Sequence, residues 1–220
     1  PASVEGMYET FEGCTSLAEI VVSDENTHYS SYAGILYDKA QTTLLCAPSN
    51  IPGVESFPET LKTVASGAFY MCKNVVNIVL PEGVEKIEEV AFSRCSATSI
   101  TIPSTIKTLE MYVFGDSNTD KSALEKLYCH HIDPSLITID NKTFGNIDFS
   151  TCTLSVPKGT KALYATAAGW KDFKNIIEEG DIITISFTIG QLQYEVTAAN
   201  EVMITGVTDK TLEYFDIKPS

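Results

Sequence analysis

Several features that would point to particular functions are missing from this 220-residue sequence. No apolar run approaches the roughly 20 residues that a membrane helix needs, so we expect no membrane insertion. Basic residues are scarce, with 15 Lys and Arg against 29 Asp and Glu and a formal net charge of −14. A nucleic-acid partner requires a basic face, which this charge balance argues against.

Catalytic signatures are also lacking. The sequence contains no nucleophile elbow, no phosphate-binding loop and no recognisable triad, and no spacing singles out a pair of its many carboxylates. We therefore predict no enzymatic activity and no cofactor.

The sequence begins with neither an initiator Met nor a signal peptide. Its first four residues, Pro1-Ala2-Ser3-Val4, match a Pro-x-x-Val/Ile phrase that recurs at 81–84 and 103–106. The match predicts that the chain starts inside a repeat and that part of another repeat precedes it, where a targeting segment would not be visible.

What the sequence does contain is one repeated phrase: Phe, two residues, Cys, an apolar-x-apolar stretch, and Pro-x-x-Val/Ile. It occurs in residues 68–84 and 91–106, and residues 10–22 match it as far as the apolar stretch. Corresponding residues recur at intervals of 22 or 23, as from Pro81 to Pro103 or from Phe69 to Phe92. A period between 20 and 50 residues is typical of solenoids and other arrays.

The alternation of apolar residues within each repeat predicts a strand, and a single strand cannot bury its apolar face alone. We therefore predict an α/β repeat solenoid with a continuous parallel sheet and short helical or 3₁₀ turns on its convex side. The Pro ends each strand because it lacks a hydrogen-bond donor. The predicted inward residues are Ile20, Val22, Ile78, Leu80, Ile100, Ile102, Leu127, Cys129, Leu154 and Val156.

Three segments depart from the period. We assign the solenoid to residues 1–180. Within it, apolar and polar residues alternate on both sides of a turn at 33–48, which predicts an inserted β-hairpin. Residues 158–180 predict a helical cap, with Thr160 as N-cap, a helix from Lys161 to Ala168, and Trp170 covering the open end of the stack. Residues 181–220 alternate as short strands and predict a small antiparallel β unit.

The six cysteines permit a disulfide framework, but the repeat assigns Cys14, Cys72 and Cys95 to one slot and predicts a buried column of thiols. On adjacent coils, Cys72 and Cys95 would have Cα atoms about 4.8 Å apart, so a disulfide there is possible but not required.

Two runs of residues resemble metal-binding motifs but do not meet the requirements of a metal site. In Cys129-His130-His131, alternation sends Cys129 inward and His130 outward, so the three cannot converge on one ion. The run Asp116-x-Asn118-x-Asp120 begins like a calcium loop but has Lys121 where Gly is needed and Leu127 where Glu is needed. We predict no metal site.

The remaining candidate for function is the exposed face of the sheet. The predicted binding residues on it are Val21, Asn77, Val79, Thr101, Lys126, Tyr128 and Ser155. The row that these residues form contains one aromatic residue and little charge, whereas binding hot spots usually cluster Trp, Tyr or Arg. An ordinary solvated sheet face is therefore the alternative interpretation.

The skeleton Ala-Phe-x2-Cys-x2-[Val/Leu]-x2-Ile-x-[Leu/Ile]-Pro-x2-Val, as in residues 68–84, resembles the BspA-like bacterial leucine-rich-repeat family. The hairpin at 34–46 resembles an insertion common in that family, and the cap from Leu154 to Phe173 resembles its terminal cap. The strand unit at 187–206 is similar to one that precedes further repeats in related proteins of gut and oral Bacteroidetes. The resemblance implies secretion or surface display and adhesion to an unidentified host or bacterial surface protein or glycan. A structural spacer within a longer repeat protein is the alternative.

Overall fold

The computed structural model describes Val4, Phe11 and residues 14–115 and 121–180 in full, together with the backbone of strands at 185–189, 192–197 and 201–207. The run at 116–120 that begins like a calcium loop lies outside the described residues. The chain divides into two compact units, Pro1–Glu179 and Gly180–Ser220. The domain boundaries drawn from the sequence stay predictions.

Short strands dominate the described residues. In chain order they are β1 (Tyr29–Tyr32), β2 (Ile35–Asp38), β3 (Thr43–Cys46), β4 (Thr63–Val64), β5 (Asn77–Val79), β6 (Lys86–Ile87), β7 (Ser99–Ile102), β8 (Thr108–Leu109), β9 (Lys126–Cys129), β10 (Thr138–Ile139), β11 (Thr153–Val156), β12 (Asn175–Glu178), β13 (Ile185–Ile189), β14 (Leu192–Thr197) and β15 (Glu201–Val207).

The repeated apolar stretch forms a five-stranded, all-parallel sheet in the order β12-β11-β9-β7-β5. Its central inward row consists of Ile78, Ile100, Leu127, Leu154 and Ile176, all buried and in register. The predicted inward residues are buried as expected, except Val22, which is half-buried. The fold is a β-rich repeat solenoid built on parallel sheets.

A second sheet, which the sequence did not predict, has the order β1-β2-β3-β4-β6-β8-β10. Its repeat strands β4, β6, β8 and β10 are two residues long and pair in parallel. Strands this short hold one inward residue each and therefore show no alternation. Where the hairpin insertion was predicted, β2 pairs antiparallel with β1 and β3, and β3 continues in parallel with β4.

The convex side is built from turns, and this corrects the expectation of short helices there. Within the described residues, the helical elements are α1 (Lys161–Tyr164) and 3₁₀ helices at Pro134–Leu136 and Trp170–Asp172. The Ala-Phe segments are turns whose backbone also bonds between coils, as from the Phe69 amide to the Ala91 carbonyl at 2.7 Å.

A stack of phenylalanine rings fills the core behind these turns. Phe69, Phe92, Phe114 and Phe144 stack with centroids 5.3, 6.2 and 5.7 Å apart. The rings are nearly parallel, and an offset arrangement of this kind adds to the burial energy of each ring. We call these four residues the phenylalanine stack.

The cap closes one end of the stack. Trp170 is fully buried and meets Phe144 edge to face at 4.8 Å. Helix α1 is shorter than predicted, and the Thr160 hydroxyl donates to the Pro157 carbonyl instead of capping it. Strand β12 then extends the parallel sheet, so the cap is a part of the sheet as well as a lid.

The positions two residues before Phe69, Phe92 and Phe114 share one unusual backbone conformation. Gly67, Val90 and Tyr112 all have positive φ, at 64°, 52° and 55°. A left-handed conformation costs a residue with a Cβ roughly 1–2 kcal/mol, and β-branched residues adopt it least readily.

This geometry predicts an asymmetry between two reciprocal substitutions. Gly67→Val should lower the free energy of unfolding by about 1–2 kcal/mol, although a Cβ there would meet nothing closer than 3.8 Å. Val90→Gly should be neutral or slightly stabilising, because relief of the backbone offsets the added chain entropy. Urea unfolding measures the free energy of unfolding of both variants. A loss of more than about 1 kcal/mol in Val90→Gly would contradict a strained site.

The phenylalanine stack gives a second prediction. Phe92→Ala should cost about 3–5 kcal/mol, since it removes a buried ring with neighbours on both sides. Phe57→Ala is the matched control, because Phe57 is only partly buried and contacts the end of the stack at Phe69. If both variants lose the same free energy of unfolding in urea, the stacked position contributes no more to stability than a partly buried one.

Candidate binding face

The outward residues of the parallel sheet form two rows across five strands. The first row is Asn77, Ser99, Lys126, Thr153 and Asn175. The second row is Val79, Thr101, Tyr128, Ser155 and Ile177. We call these ten residues the sheet face. The face includes six of the seven residues predicted from the sequence.

Four of those six offer surface to a partner. Asn77, Val79 and Lys126 are exposed, Val79 by 64%, and Tyr128 is half-buried. Tyr128 occupies the middle strand of the sheet and is the single aromatic residue of the two rows. An aromatic ring with a polar tip in the centre of a face is the kind of residue that supplies binding energy.

Two predicted residues are buried, which corrects their assignment as exposed. Thr101 and Ser155 are only 9% and 4% exposed. Each short side chain has larger neighbours on both sides of the same row: Tyr128 on one side, and Val79 or Ile177 on the other. Neither offers much surface for a partner to contact.

Val21 is exposed by 78% but lies in no strand, so its assignment to the sheet row was wrong. Its neighbours hold the chain beside the hairpin instead. The Ile20 amide donates to the Gly34 carbonyl at 2.8 Å, and the Val22 amide donates to Ser31 Oγ at 3.0 Å. The predicted strand at this repeat does not form, which removes the register on which the prediction depended.

The cap supplies residues that the sequence reasoning missed. Strand β12 adds Asn175 and Ile177 to the two rows. Beyond the strand ends, His130 Nε2 lies 3.1 Å from Glu179 Oε1, an ion pair when the imidazole is protonated. Strand β12 was missed because Asn175-Ile176-Ile177-Glu178 shows no alternation of apolar and polar residues. The signal that could have found it is the 22-residue interval from Leu154 to Ile176.

The charge on the sheet face differs from that of the whole chain. Its ten residues include no carboxylate and one cation, Lys126. The chain carries 29 Asp and Glu, so this face is a nearly neutral area on a strongly acidic protein. A partner that approaches the face meets little repulsion from nearby charge.

The thiols offer no reactive centre inside the solenoid. All six cysteines are free, and Cys14 is exposed, which corrects the expectation that it joins the buried column. Cys72 and Cys95 are buried as predicted. Burial raises the pKa of Cys95 to about 11 and that of Cys129 to about 11, so both stay neutral near pH 7.

Around Cys129 the structure follows the predicted alternation. Tyr164 Oη donates to the His131 carbonyl at 2.6 Å and lies 3.2 Å from Cys129 Sγ, while His130 faces outward. Within 14–115 and 121–180, no group of three or more His, Cys, Asp or Glu side chains could hold a metal ion. No helix in the described part of the chain is long and apolar enough to cross a membrane.

Stacked parallel strands and a ring-filled core define the class of β-rich repeat solenoids. The particular family follows from comparison. A family model described as a BspA type leucine-rich repeat region matches residues 49–167 in six copies, which is more than half of the chain. The protein therefore belongs to the BspA-type leucine-rich repeat family. No curated protein matches the chain significantly.

Solved structures of bacterial leucine-rich repeat proteins are similar to parts of the chain. The pneumococcal vaccine antigen PcpA is 18% identical over 73% of this chain and 50% of its own, with a TM-score of 0.44. A leucine-rich repeat protein from Eubacterium ventriosum is 20% identical over 60% of this chain and 53% of its own, with a TM-score of 0.28. The chain thus spans about half of each solved chain.

The thiol environments predict the outcome of a titration. With Ellman's reagent at pH 8, one thiol of the native protein should react fast, and Cys14→Ser should abolish that phase, because Cys14 is exposed. The half-buried Cys46 should lag, since burial raises its pKa to about 11. In guanidinium all six should react. Fewer than six would reveal a disulfide, and two fast native thiols would contradict the burial pattern.

Proposed function

We propose that the chain is a non-catalytic adhesion module of a secreted or surface-displayed bacterial protein, and that it binds a host or bacterial surface protein or glycan through the sheet face. Membership in a leucine-rich repeat family supports a protein-interaction role. The observation that carries the proposal is the contrast in charge between the sheet face and the rest of the chain.

The sheet face has two parts that suit different contacts. At one edge, Val79 is exposed on β5, and Val76 just before that strand is also exposed. At the centre, Tyr128 and Lys126 stand on β9. An apolar edge next to an amphipathic centre favours a partner that buries one apolar side chain and hydrogen-bonds to the tyrosine hydroxyl.

The face is broad rather than deep. It presents side chains of five adjacent strands, and parallel strands lie about 4.8 Å apart. A flat surface of this kind gains affinity by extended contact, and it lacks the enclosure that a catalytic pocket needs. This shape favours a macromolecular partner over a small substrate.

Binding to cell surfaces tests the proposal. Labelled protein is applied to fixed epithelial cells and to intact Gram-positive and Gram-negative bacteria, and binding is measured by flow cytometry. Tyr128→Ala and Val79→Lys should each weaken binding about tenfold or more, which corresponds to at least about 1.4 kcal/mol. Val79 is exposed, so Val79→Lys should keep the wild-type unfolding midpoint. Tyr128 is half-buried and flanks Thr101 and Ser155, so Tyr128→Ala should lower the midpoint slightly, and binding is measured well below it.

Matched controls separate the face from general effects. Tyr70→Ala removes a tyrosine from the convex side, and Leu163→Lys adds the same charge at an exposed apolar residue on α1. Both should bind like the wild type. If the sheet-face variants bind as well as these controls, the face is not the binding surface. If the wild type binds no cells, the structural-spacer function replaces adhesion.

A further inference from the structure

A groove lies on the convex side, remote in the fold from the outward rows of the sheet. It has a volume of about 360 Å³ and lies between the turn at Tyr112, the turn at 140–147 and the cap residues Gly169 and Asp172. That volume is at the lower end of the range for small-molecule sites, about 300–1,000 Å³.

The groove lies beside the longest coil of the solenoid. Phe114 and Phe144 are 30 residues apart, against 22 or 23 for the preceding pairs of the phenylalanine stack. Two glycines let the turns of these coils approach closely: a Cβ on Gly115 would lie 2.6 Å from the Gly145 carbonyl oxygen, and one on Gly145 would lie 2.7 Å from Tyr112 Cδ1. The Tyr112 ring therefore lies against a position where a side chain cannot fit.

Tyr112 is itself strained. Its φ of 55° is left-handed, and the equivalent residue two coils earlier is Gly67. Glycine would take this conformation without cost, whereas tyrosine loses roughly 1–2 kcal/mol. Val90 has the same conformation away from the groove, so the strain belongs to the repeat. What distinguishes the groove is the aromatic side chain at this position.

The polar groups around the ring define the chemistry. Lys142 Nζ lies 5.5 Å from the centre of the Tyr112 ring, within cation–π range. Asn141, Asn146 and Asp172 also line the groove, and their side chains make no hydrogen bond within the described residues. The groove thus combines an aromatic face with amide, carboxylate and ammonium groups that can both donate and accept.

We propose that this groove binds a neutral sugar ring, as a glycan subsite separate from the sheet face. The C–H face of a pyranose packs on the negative face of Tyr112, and its hydroxyls bond to the amides of Asn141 and Asn146 and the carboxylate of Asp172. Lys142 moves aside on its flexible stem and donates to a hydroxyl. Asp140 and Asp172 outnumber Lys142, which disfavours a phosphate or a sialic acid.

Saturation-transfer NMR on the whole chain tests the subsite. The probes are the methyl glycosides of glucose, galactose, mannose and N-acetylglucosamine, each at millimolar concentration, with sialyllactose as the anionic comparison. At least one neutral glycoside should give a saturable signal, and sialyllactose should give a weaker one. Tyr112→Phe should retain the signal because the stacking face remains.

Tyr112→Gly distinguishes binding from a structural role. It should reduce the signal by at least tenfold. Relief of the left-handed backbone offsets part of the lost ring contacts with Gly145 and Lys142, so the urea unfolding midpoint should fall no further than that of Tyr70→Ala. Tyr70→Ala is the matched control: Arg94 stands over Tyr70 at 5.8 Å, but Tyr70 does not line the groove. The proposal fails if no neutral glycoside saturates the wild type, or if Tyr112→Gly binds as well as Tyr70→Ala. Neither outcome bears on the sheet face, whose variants are measured on cells.

Discussion

The stacking of Phe69, Phe92, Phe114 and Phe144 is the constraint on which the rest of the solenoid depends. Each coil must bring one ring back over the ring of the coil before it, and this requirement gives the repeat its period of 22 or 23 residues. The longest interval, 30 residues between Phe114 and Phe144, keeps the rings 5.7 Å apart and within 1° of parallel. The ring contact is thus kept across the longest interval, because lengthening a coil costs less than losing a buried ring contact.

A core organised by stacked rings and aliphatic strands leaves little chemistry inside the solenoid. The buried thiols have raised pKa values because desolvation disfavours their charged form, and Trp170 covers the last ring. Ion pairs such as Lys86 with Glu110 and Lys107 with Glu85 lie on the surface beside the second sheet. Such exposed pairs contribute little to stability, so burial of the repeated apolar positions holds the coils together.

The sequence predicted those features that repeat with a clear period. Alternation identified the inward residues of the parallel sheet, since every second residue of a strand faces the core. The second sheet escaped prediction because a two-residue strand shows no alternation, as Lys86 and Ile87 illustrate. The burial of Thr101 depends on the sizes of its neighbours on other strands, and the approach of His130 to Glu179 joins residues that are 49 positions apart. A single repeat contains neither kind of information.

The convex turns show where such a solenoid can vary without losing its stack. Two residues before Phe69, Phe92 and Phe114, the backbone amide donates to the next coil, as from Val90 to Met111 and from Tyr112 to Lys142, while the side chains differ. Glycine adopts this backbone conformation at the lowest cost, yet the other two positions carry Val90 and Tyr112 where the first carries Gly67. Because the strain is local and the ladder of amide bonds persists, a coil can bear a costly residue there when its side chain has a role at the surface. The Tyr112 side chain lies against Gly145 and lines the groove, so it is the substituted position whose side chain has a surface to serve.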